Sequence, residues 1–360
     1  MTKRESNIEL LRIVSMFMIV AHHFSVHGKF TIETTSFINN IWLQLLSSGG
    51  KIGVNIFIII SGFFLINSKK INLNKFIKLF TQLLFYSILI FIIFISFRIE
   101  PFNIKIFIKH ILGYPIWWFA KTYLVLYLIH PYINKLLNSL NKTEYKKLII
   151  FLTIILSFIP TITTVNADDG SLVWFIYLYS LGAYISKYPL ALNLKISKYL
   201  LISILLYFLT FSSVIIFDFI GNKNSLFLQH ATYLFGMNKL STLLISLFLF
   251  LTFKNMKIKY NKLINIVSSA TFGIYLIHDS DYIRTFLWQN VFKNATYSNT
   301  YILIPYSLLV ILIVFIGCLI IELLRIYLVE KRCLKLINVI SNFTDKTINK
   351  ILNAKFLNNI

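Results

Sequence analysis

Apolar stretches long enough to cross a lipid bilayer recur along the whole chain, and they leave little choice of fold. Hydrophobic residues make up 57% of the 360 residues, and charged residues only 13%. A membrane-spanning helix needs about 20 mainly apolar residues. We predict ten such segments, at approximately 8–26, 50–67, 76–97, 116–137, 148–165, 172–187, 199–218, 239–253, 263–284 and 302–327. The sequence therefore predicts an all-α, polytopic membrane protein with about ten transmembrane helices.

The positive charge is distributed in a way that orients these helices. The net charge is +22, but lysines and arginines occur in small groups in alternate loops, for example Lys69 and Lys70, and not in one basic domain. The intervening loops are poorer in lysine, and one of them carries Asp168 and Asp169. Because loops rich in Lys and Arg stay in the cytoplasm, we expect both termini to be cytoplasmic. The same dispersed pattern argues against a nucleic acid partner.

The chain divides into two regions of different composition. Residues 1–330 hold all the predicted spans and form a membrane domain. Residues 331–360 mix Lys with Ile, Leu and Phe at helical spacing. That pattern predicts a basic amphipathic tail on the cytoplasmic membrane surface.

The first segment carries ionisable residues where a membrane span usually has none. Arg12 and His23 are 11 residues apart, which places them within ~20° of one helix face and ~16 Å apart along the axis. Ionisable residues in a span are expensive and commonly serve a site. The alternative is that both side chains extend to the lipid headgroups, Arg12 at the inner membrane surface and His23 at the outer one. His22 points ~100° away from His23 and is the weaker candidate.

Three further residues are candidates for the same site. Lys75 and Lys78 follow the second span, where they either anchor the chain at the membrane surface or form a rim that binds phosphate groups. His278 lies near the end of the ninth span, just before Asp279. The topology brings His278 to a depth similar to that of His23, so the two could face one another across a cavity. A structural hydrogen bond is the alternative role for His278.

Familiar soluble-enzyme motifs are missing from the sequence. It contains no GxSxG serine elbow, no HExxH zinc motif, no Walker loop and no Rossmann glycine run. Its two cysteines, Cys318 and Cys333, do not form a metal-binding pattern. We therefore expect no metal site and no permanently bound cofactor.

Several short motifs together resemble those of the acyltransferase 3 family, integral membrane acyltransferases that modify bacterial surface glycans. The first is Arg12 followed eleven residues later by His23 and Phe24. The others, in chain order, are Ser61-Gly62-Phe63, the stretch from Trp117-Trp118-Phe119 to Tyr123 and Leu128, and the segment TFGIYLIH at 271–278. The resemblance covers approximately residues 4–330.

This resemblance implies a multi-pass protein of the bacterial plasma membrane. It implies an acyl-CoA donor, usually acetyl-CoA, on the cytoplasmic side, and transfer to a sugar hydroxyl on the outer side. The family's first-span residues carry over to Arg12, which would hold the donor, and His23, which would act as a base or carry the acyl group. His278 would assist proton transfer or bind the acceptor. Lys75 and Lys78 stand where many members place arginines of the donor site.

The expected partners are therefore membrane lipids, acyl-CoA and a surface glycan or its lipid-linked precursor, and the oligomeric state is not predicted. Two alternatives remain open. One is an O-succinyltransferase acting on an exopolysaccharide. The other is a transporter or flippase of lipid-linked sugars, because charged residues inside spans also mark substrate pathways.

Overall fold

The computed structural model describes residues 5–31, 34–111, 117–163, 170–188, 194–221, 227–228 and 230–330. Within these ranges all regular structure is helical, which confirms the predicted all-α class. The helices are α1 (Ser6–His27), α2 (Phe37–Leu65), α3 (Leu73–Ser96), α4 (Ile104–Ile111), α5 (Trp118–Ser139), α6 (Lys142–Ile162), α7 (Leu172–Lys187), α8 (Ile196–Gly221), α9 (Leu240–Asn255), α10 (Lys262–Ser269), α11 (Thr271–His278), α12 (Asp281–Thr285) and α13 (Leu303–Glu330). Short 3-10 or π turns lie at Tyr233–Phe235, Phe286–Val291 and Asn294–Tyr297.

Six of these helices are long and apolar enough to cross a bilayer, namely α1, α2, α3, α6, α8 and α13. The other predicted spans correspond to α5, α7, α9 and the segment α10 to α12. Helices α7 and α9 have only 16 residues each, and α5 carries Lys121, His130 and Pro131. The fold is therefore that of a multi-pass membrane protein with six candidate spans. The loop residues Asp168 and Asp169 and the predicted tail at 331–360 lie outside the described residues.

Helices α1 and α2 form an antiparallel pair at the centre of the protein. Glycines on α2 allow this close approach, since a Cβ at Gly50 would overlap the ring of His22, and one at Gly53 would lie 2.7 Å from the carbonyl oxygen of Ser15. The order of these contacts shows that α2 returns alongside α1. The beginning of α1 and the end of α2 therefore lie at the same end of the molecule.

A second glycine contact joins α2 to α7. A Cβ at Gly62 would overlap the carbonyl group of Tyr179, and a Cβ at Gly182 would overlap that of Ile59. Each helix thus presents a glycine to the backbone of the other. Small residues at a helix interface allow this spacing in membranes, where packing takes the place of the hydrophobic effect.

The ninth predicted span, at 263–284, is not one helix. The chain breaks at Ala270, whose N–H donates to the carbonyl of Val267, three residues back, at 3.1 Å. Just before the break, Ser268 donates a hydrogen bond to the carboxylate of Glu9 on α1. A second break follows His278, where α11 ends. These breaks make α11 a separate short helix, and all but one of its residues are buried.

A buried polar network fixes α13 against α3. Glu322 is fully buried and accepts hydrogen bonds from Arg325 Nε and Tyr86 Oη, at 2.8 and 2.6 Å, and from Gln82 Nε2 at 3.0 Å. Because every partner is present, the charge of Glu322 is compensated inside the membrane domain. The network has a structural role, as the i, i+3 spacing of Glu322 and Arg325 suggests.

Candidate functional site

A cavity of about 300 Å³ opens between α1, α2, α3, α5 and α11. Its volume is at the lower end of the range for small-molecule sites. The α1 residues that line it run from Arg12 to His23, a rise of ~16 Å. The structure therefore places both first-span candidates on one cavity, at opposite ends. The lining between them is mainly apolar and includes Met16, Ile19, Val54 and Phe57.

The first end of this cavity, which we call the basic end, is lined by Arg12 and Lys75. Arg12 is 3.9 Å from Glu9, and its side chain is 29% exposed. Its Nε is nevertheless buried and has no hydrogen-bond partner within the described residues. A buried donor without an acceptor is costly, and a cavity ligand that accepts a hydrogen bond from this nitrogen would remove that cost.

The two lysine candidates of the donor site separate in the structure. Lys75 lies on the cavity wall, with its Nζ 5.4 Å from the centre of the Tyr127 ring. Lys78 is absent from the described lining and forms an ion pair with Glu330 at 2.6 Å. Its charge is therefore committed to the end of α13, away from the cavity.

The opposite end, which we call the histidine end, is lined by His22, His23 and Lys51. His23 is 8% exposed and His278 is fully buried. The two rings do not face one another across a gap, because His23 Nδ1 lies 2.8 Å from His278 Nε2 and forms a direct hydrogen bond. The short helix α11, ending at His278, positions this ring against α1.

The hydrogen bonds of this pair define which nitrogen of His23 is free. His278 Nδ1 is 2.6 Å from the carbonyl oxygen of Ile274, and a carbonyl can only accept, so this nitrogen carries the proton. In the neutral ring His278 Nε2 is then an acceptor. His23 Nδ1 must donate to it, which leaves the lone pair of His23 on Nε2.

A buried carboxylate stands beside that lone pair. Asp279 is 1% exposed, and its Oδ1 lies 3.6 Å from His23 Nε2 and 3.5 Å from His27 Nε2. Arg284 Nε donates to the same oxygen at 3.0 Å. A proton accepted by His23 would thus be stabilised by a neighbouring negative charge.

His23, His27 and Asp279 also form a group that could hold a metal ion, with one ligand atom from each residue within 4.8 Å of the others. The sequence predicts no metal site. The three residues of this group come from two segments that are distant in the sequence, and local spacing does not bring them together. The guanidinium of Arg284 already occupies the carboxylate oxygen and would repel a divalent cation. The arrangement favours an imidazolium partner for Asp279.

His22 is a second imidazole on the cavity wall, although its face of α1 made it the weaker candidate. Its Nδ1 donates to the carbonyl of Ser47 at 2.5 Å, which also leaves its Nε2 unprotonated. Lys51 acts on it electrostatically, and more strongly than Asp279 does. A cation nearby opposes a second positive charge, so His22 is less suited to accept a proton than His23, which lies 3.6 Å from Asp279.

Sequence reasoning missed Lys51, His27 and Arg284. The predicted second span begins at residue 50, which places Lys51 at the end of that span. In the structure α2 begins at Phe37, and Lys51 lies at the middle of the helix. Polar residues in the first half of α2 make it resemble a loop in the sequence, but in the structure they have hydrogen-bond partners. Asn39, for example, donates to the carbonyl of Ser298 at 2.8 Å. The one available signal for His27 was its i+4 spacing from His23.

Comparison with known proteins identifies the family to which this architecture belongs. The model of the acyltransferase 3 family, described as an acyltransferase domain, matches residues 5–323. A search of curated proteins and a search of solved structures found no match. The family match covers nearly the whole chain and includes Arg12, His23, Lys75 and His278. The chain therefore belongs to the acyltransferase 3 family.

Proposed function

We propose that this protein is a membrane O-acyltransferase. It would move an acyl group from acyl-CoA, held at the basic end, to a hydroxyl of a cell-surface polysaccharide or its lipid-linked precursor at the histidine end. One observation carries the proposal. A single cavity extends from Arg12, whose buried Nε has no hydrogen-bond partner within the described residues, to the hydrogen-bonded pair of His23 and His278.

The proposal includes a topology. We infer ten membrane crossings with both termini in the cytoplasm of a bacterial cell, and an amphipathic tail at 331–360 on the inner surface of the plasma membrane. The alternation of lysine-rich loops supports this orientation. It turns the basic end toward the cytoplasm, where acyl-CoA is made. The histidine end then lies toward the outer face, where surface glycans are found.

The donor would bind with its phosphates on Arg12 and Lys75. Arginine and lysine both bind phosphate, and an arginine with a free Nε offers a directed donor. The ~16 Å rise from Arg12 to His23 suits the long pantetheine arm of CoA. The apolar lining between the two residues suits this arm because it is uncharged, while the charged phosphates stay at the basic end. Acetyl is the group that the family resemblance favours, with succinyl as the alternative.

His23 would be the general base. As the acceptor oxygen attacks the thioester carbonyl, its proton moves to His23 Nε2. The new C–O bond forms, the C–S bond breaks, and His23 returns the proton to the sulfur of CoA. Asp279 stabilises the imidazolium, and His278 fixes the tautomer that leaves Nε2 free. In the other version of this step, Nε2 attacks the thioester carbonyl, the C–S bond breaks and CoA leaves as the thiolate. The hydroxyl oxygen then takes the acyl group as the bond to Nε2 breaks, and its proton passes to the thiolate.

The release of free CoA by the purified protein in lipid nanodiscs tests this proposal. His23→Gln should slow release about 10²- to 10⁴-fold, the usual contribution of general acid–base catalysis. His22→Gln is the matched control, on the same helix and the same cavity, and should stay within a few-fold of wild type. A dependence on His22 and not on His23 would refute the assignment.

The absence of CoA release with any acceptor offered would leave the ionisable cavity better explained as a transport pathway for lipid-linked sugars. The same purified protein, reconstituted into sealed vesicles, would then be expected to flip fluorescent lipid-linked sugars from one leaflet to the other. Under the acyltransfer proposal, no such flipping is expected.

A further inference from the structure

Lys51 occupies an unusual position for a lysine. It lies 14 residues from each end of the 29-residue helix α2, or about 21 Å from either end. It is partly buried and lines the cavity at the histidine end. A partly buried cation at the middle of an apolar helix of a membrane protein is costly and is usually retained for a site.

Lys51 also lacks a counter-ion. Among the described residues that line the cavity are one arginine and two lysines (Arg12, Lys51 and Lys75), and none is acidic. Within the described part of the chain, no carboxylate lies within 4.0 Å of its Nζ. Asp279, the buried carboxylate of the histidine end, is in contact with His23, His27 and Arg284. A partly buried ammonium without an anion is unfavourable until a ligand supplies one.

The level of Lys51 along the cavity indicates which ligand group it meets. Gly50 packs against the ring of His22, and the next residue of the antiparallel helix, Lys51, lies about 1.5 Å further toward the basic end. A donor that enters from the basic end therefore brings its acyl group to this level. The acceptor arrives from the opposite side, so that the rest of its sugar lies beyond His23.

We propose that Lys51 binds the free carboxylate of a dicarboxylic acyl group, and that the donor is a thioester of the succinyl class. This inference rests on the proposed acyltransferase function. It assigns Arg12 and Lys75 to the phosphates of the donor and Lys51 to the far end of the acyl chain. The apolar lining between the two ends, which includes Val54 and Phe57, leaves Lys51 as the charged partner at that level among the described residues.

Binding of non-hydrolysable thioether analogues of succinyl-CoA and acetyl-CoA to the purified full-length protein tests the inference without any need for turnover. The wild-type protein should bind the succinyl analogue about 10- to 100-fold more tightly, the range expected for a hydrogen bond between charged groups. Lys51→Met should remove this preference and change acetyl binding less than about threefold. Lys51→Arg, which keeps the charge, should retain a clear preference.

Lys121→Met is the matched control, since Lys121 is an exposed lysine of α5 outside the described lining. It should leave both affinities unchanged. Equal binding of the two analogues by wild type would overturn the inference, and so would an equal loss of both in Lys51→Met, which would assign Lys51 to the CoA moiety. His23-dependent CoA release from acetyl-CoA without any succinyl preference would overturn only this inference and leave the proposed function standing.

Discussion

The carboxylate beside His23 offers the sharpest test of the proposed chemistry. We expect Asp279→Asn to lower the rate of acyl transfer about 30-fold while the affinity for acyl-CoA stays the same. Asparagine keeps the shape and a hydrogen-bonding oxygen but removes the negative charge. The change therefore acts on the imidazolium that forms during the reaction and not on the binding of the donor at Arg12.

The magnitude follows from the distances. Asp279 Oδ1 is 3.6 Å from His23 Nε2, and two unit charges at that separation interact by about 4 to 5 kcal/mol at an effective dielectric constant of about 20. Arg284, which donates to the same oxygen at 3.0 Å, cancels part of this field. If roughly half remains, the loss is about 2 kcal/mol, or about 30-fold in rate.

The assay is the rate of CoA release at saturating acyl-CoA, together with the KM for acyl-CoA. Asp281→Asn is the control, because the carboxylate of Asp281 is 60% exposed and is 3.4 Å from Arg284 in a solvent-facing ion pair. Such pairs contribute little, and activity should stay within twofold of wild type. A fully active Asp279→Asn enzyme, or one that loses donor binding at an unchanged rate, would refute this reasoning.

Three further predictions address the fold and the cavity. Gly62→Ala should lower the free energy of unfolding of the detergent-solubilised protein by about 1–3 kcal/mol, because the new Cβ would overlap the carbonyl of Tyr179. An unchanged melting temperature would contradict the close packing of α2 on α7. Arg12→Gln should raise the KM for acyl-CoA about 10-fold or more. Lys78→Gln should change it less than twofold, since Lys78 is paired with Glu330. Equal effects of the two variants would contradict the assignment of Arg12, and not Lys78, to the donor. Val54→Trp should block the apolar middle of the cavity and abolish transfer while a CoA analogue still binds at the basic end, and undiminished transfer would show that the donor takes another route.

Much of the site could be predicted from the sequence because it depends on local periodicity. The spacing of Arg12 and His23 fixes their shared face on any regular helix, and both do line one cavity. The alternation of lysine-rich loops orients the predicted spans, and that orientation predicts that His278 lies at a depth similar to that of His23. Its contact with His23 is direct, however, because α11 is a separate short helix that begins after the break at Ala270.

Other features depend on tertiary contacts that periodicity does not reveal. Lys78 is paired with Glu330, more than 250 residues later in the chain, so its neutralisation was not predictable from its own segment. Lys51 was hidden because the polar first half of α2 resembles a loop until its partners, such as the carbonyl of Ser298 for Asn39, are known. Long-range satisfaction of polar groups thus determined the parts that sequence reasoning missed.

The most direct test follows the acyl group itself. Inverted membrane vesicles that hold the acceptor glycan in their lumen would receive acyl-CoA, labelled in its acyl group, on the exposed cytoplasmic face. We expect label to appear on the lumenal glycan with the wild-type protein, and to fall at least 100-fold with His23→Gln at equal protein levels. Undiminished labelling with His23→Gln would contradict acyl transfer through this cavity. So would wild-type protein that moves the glycan across the vesicle membrane without labelling it.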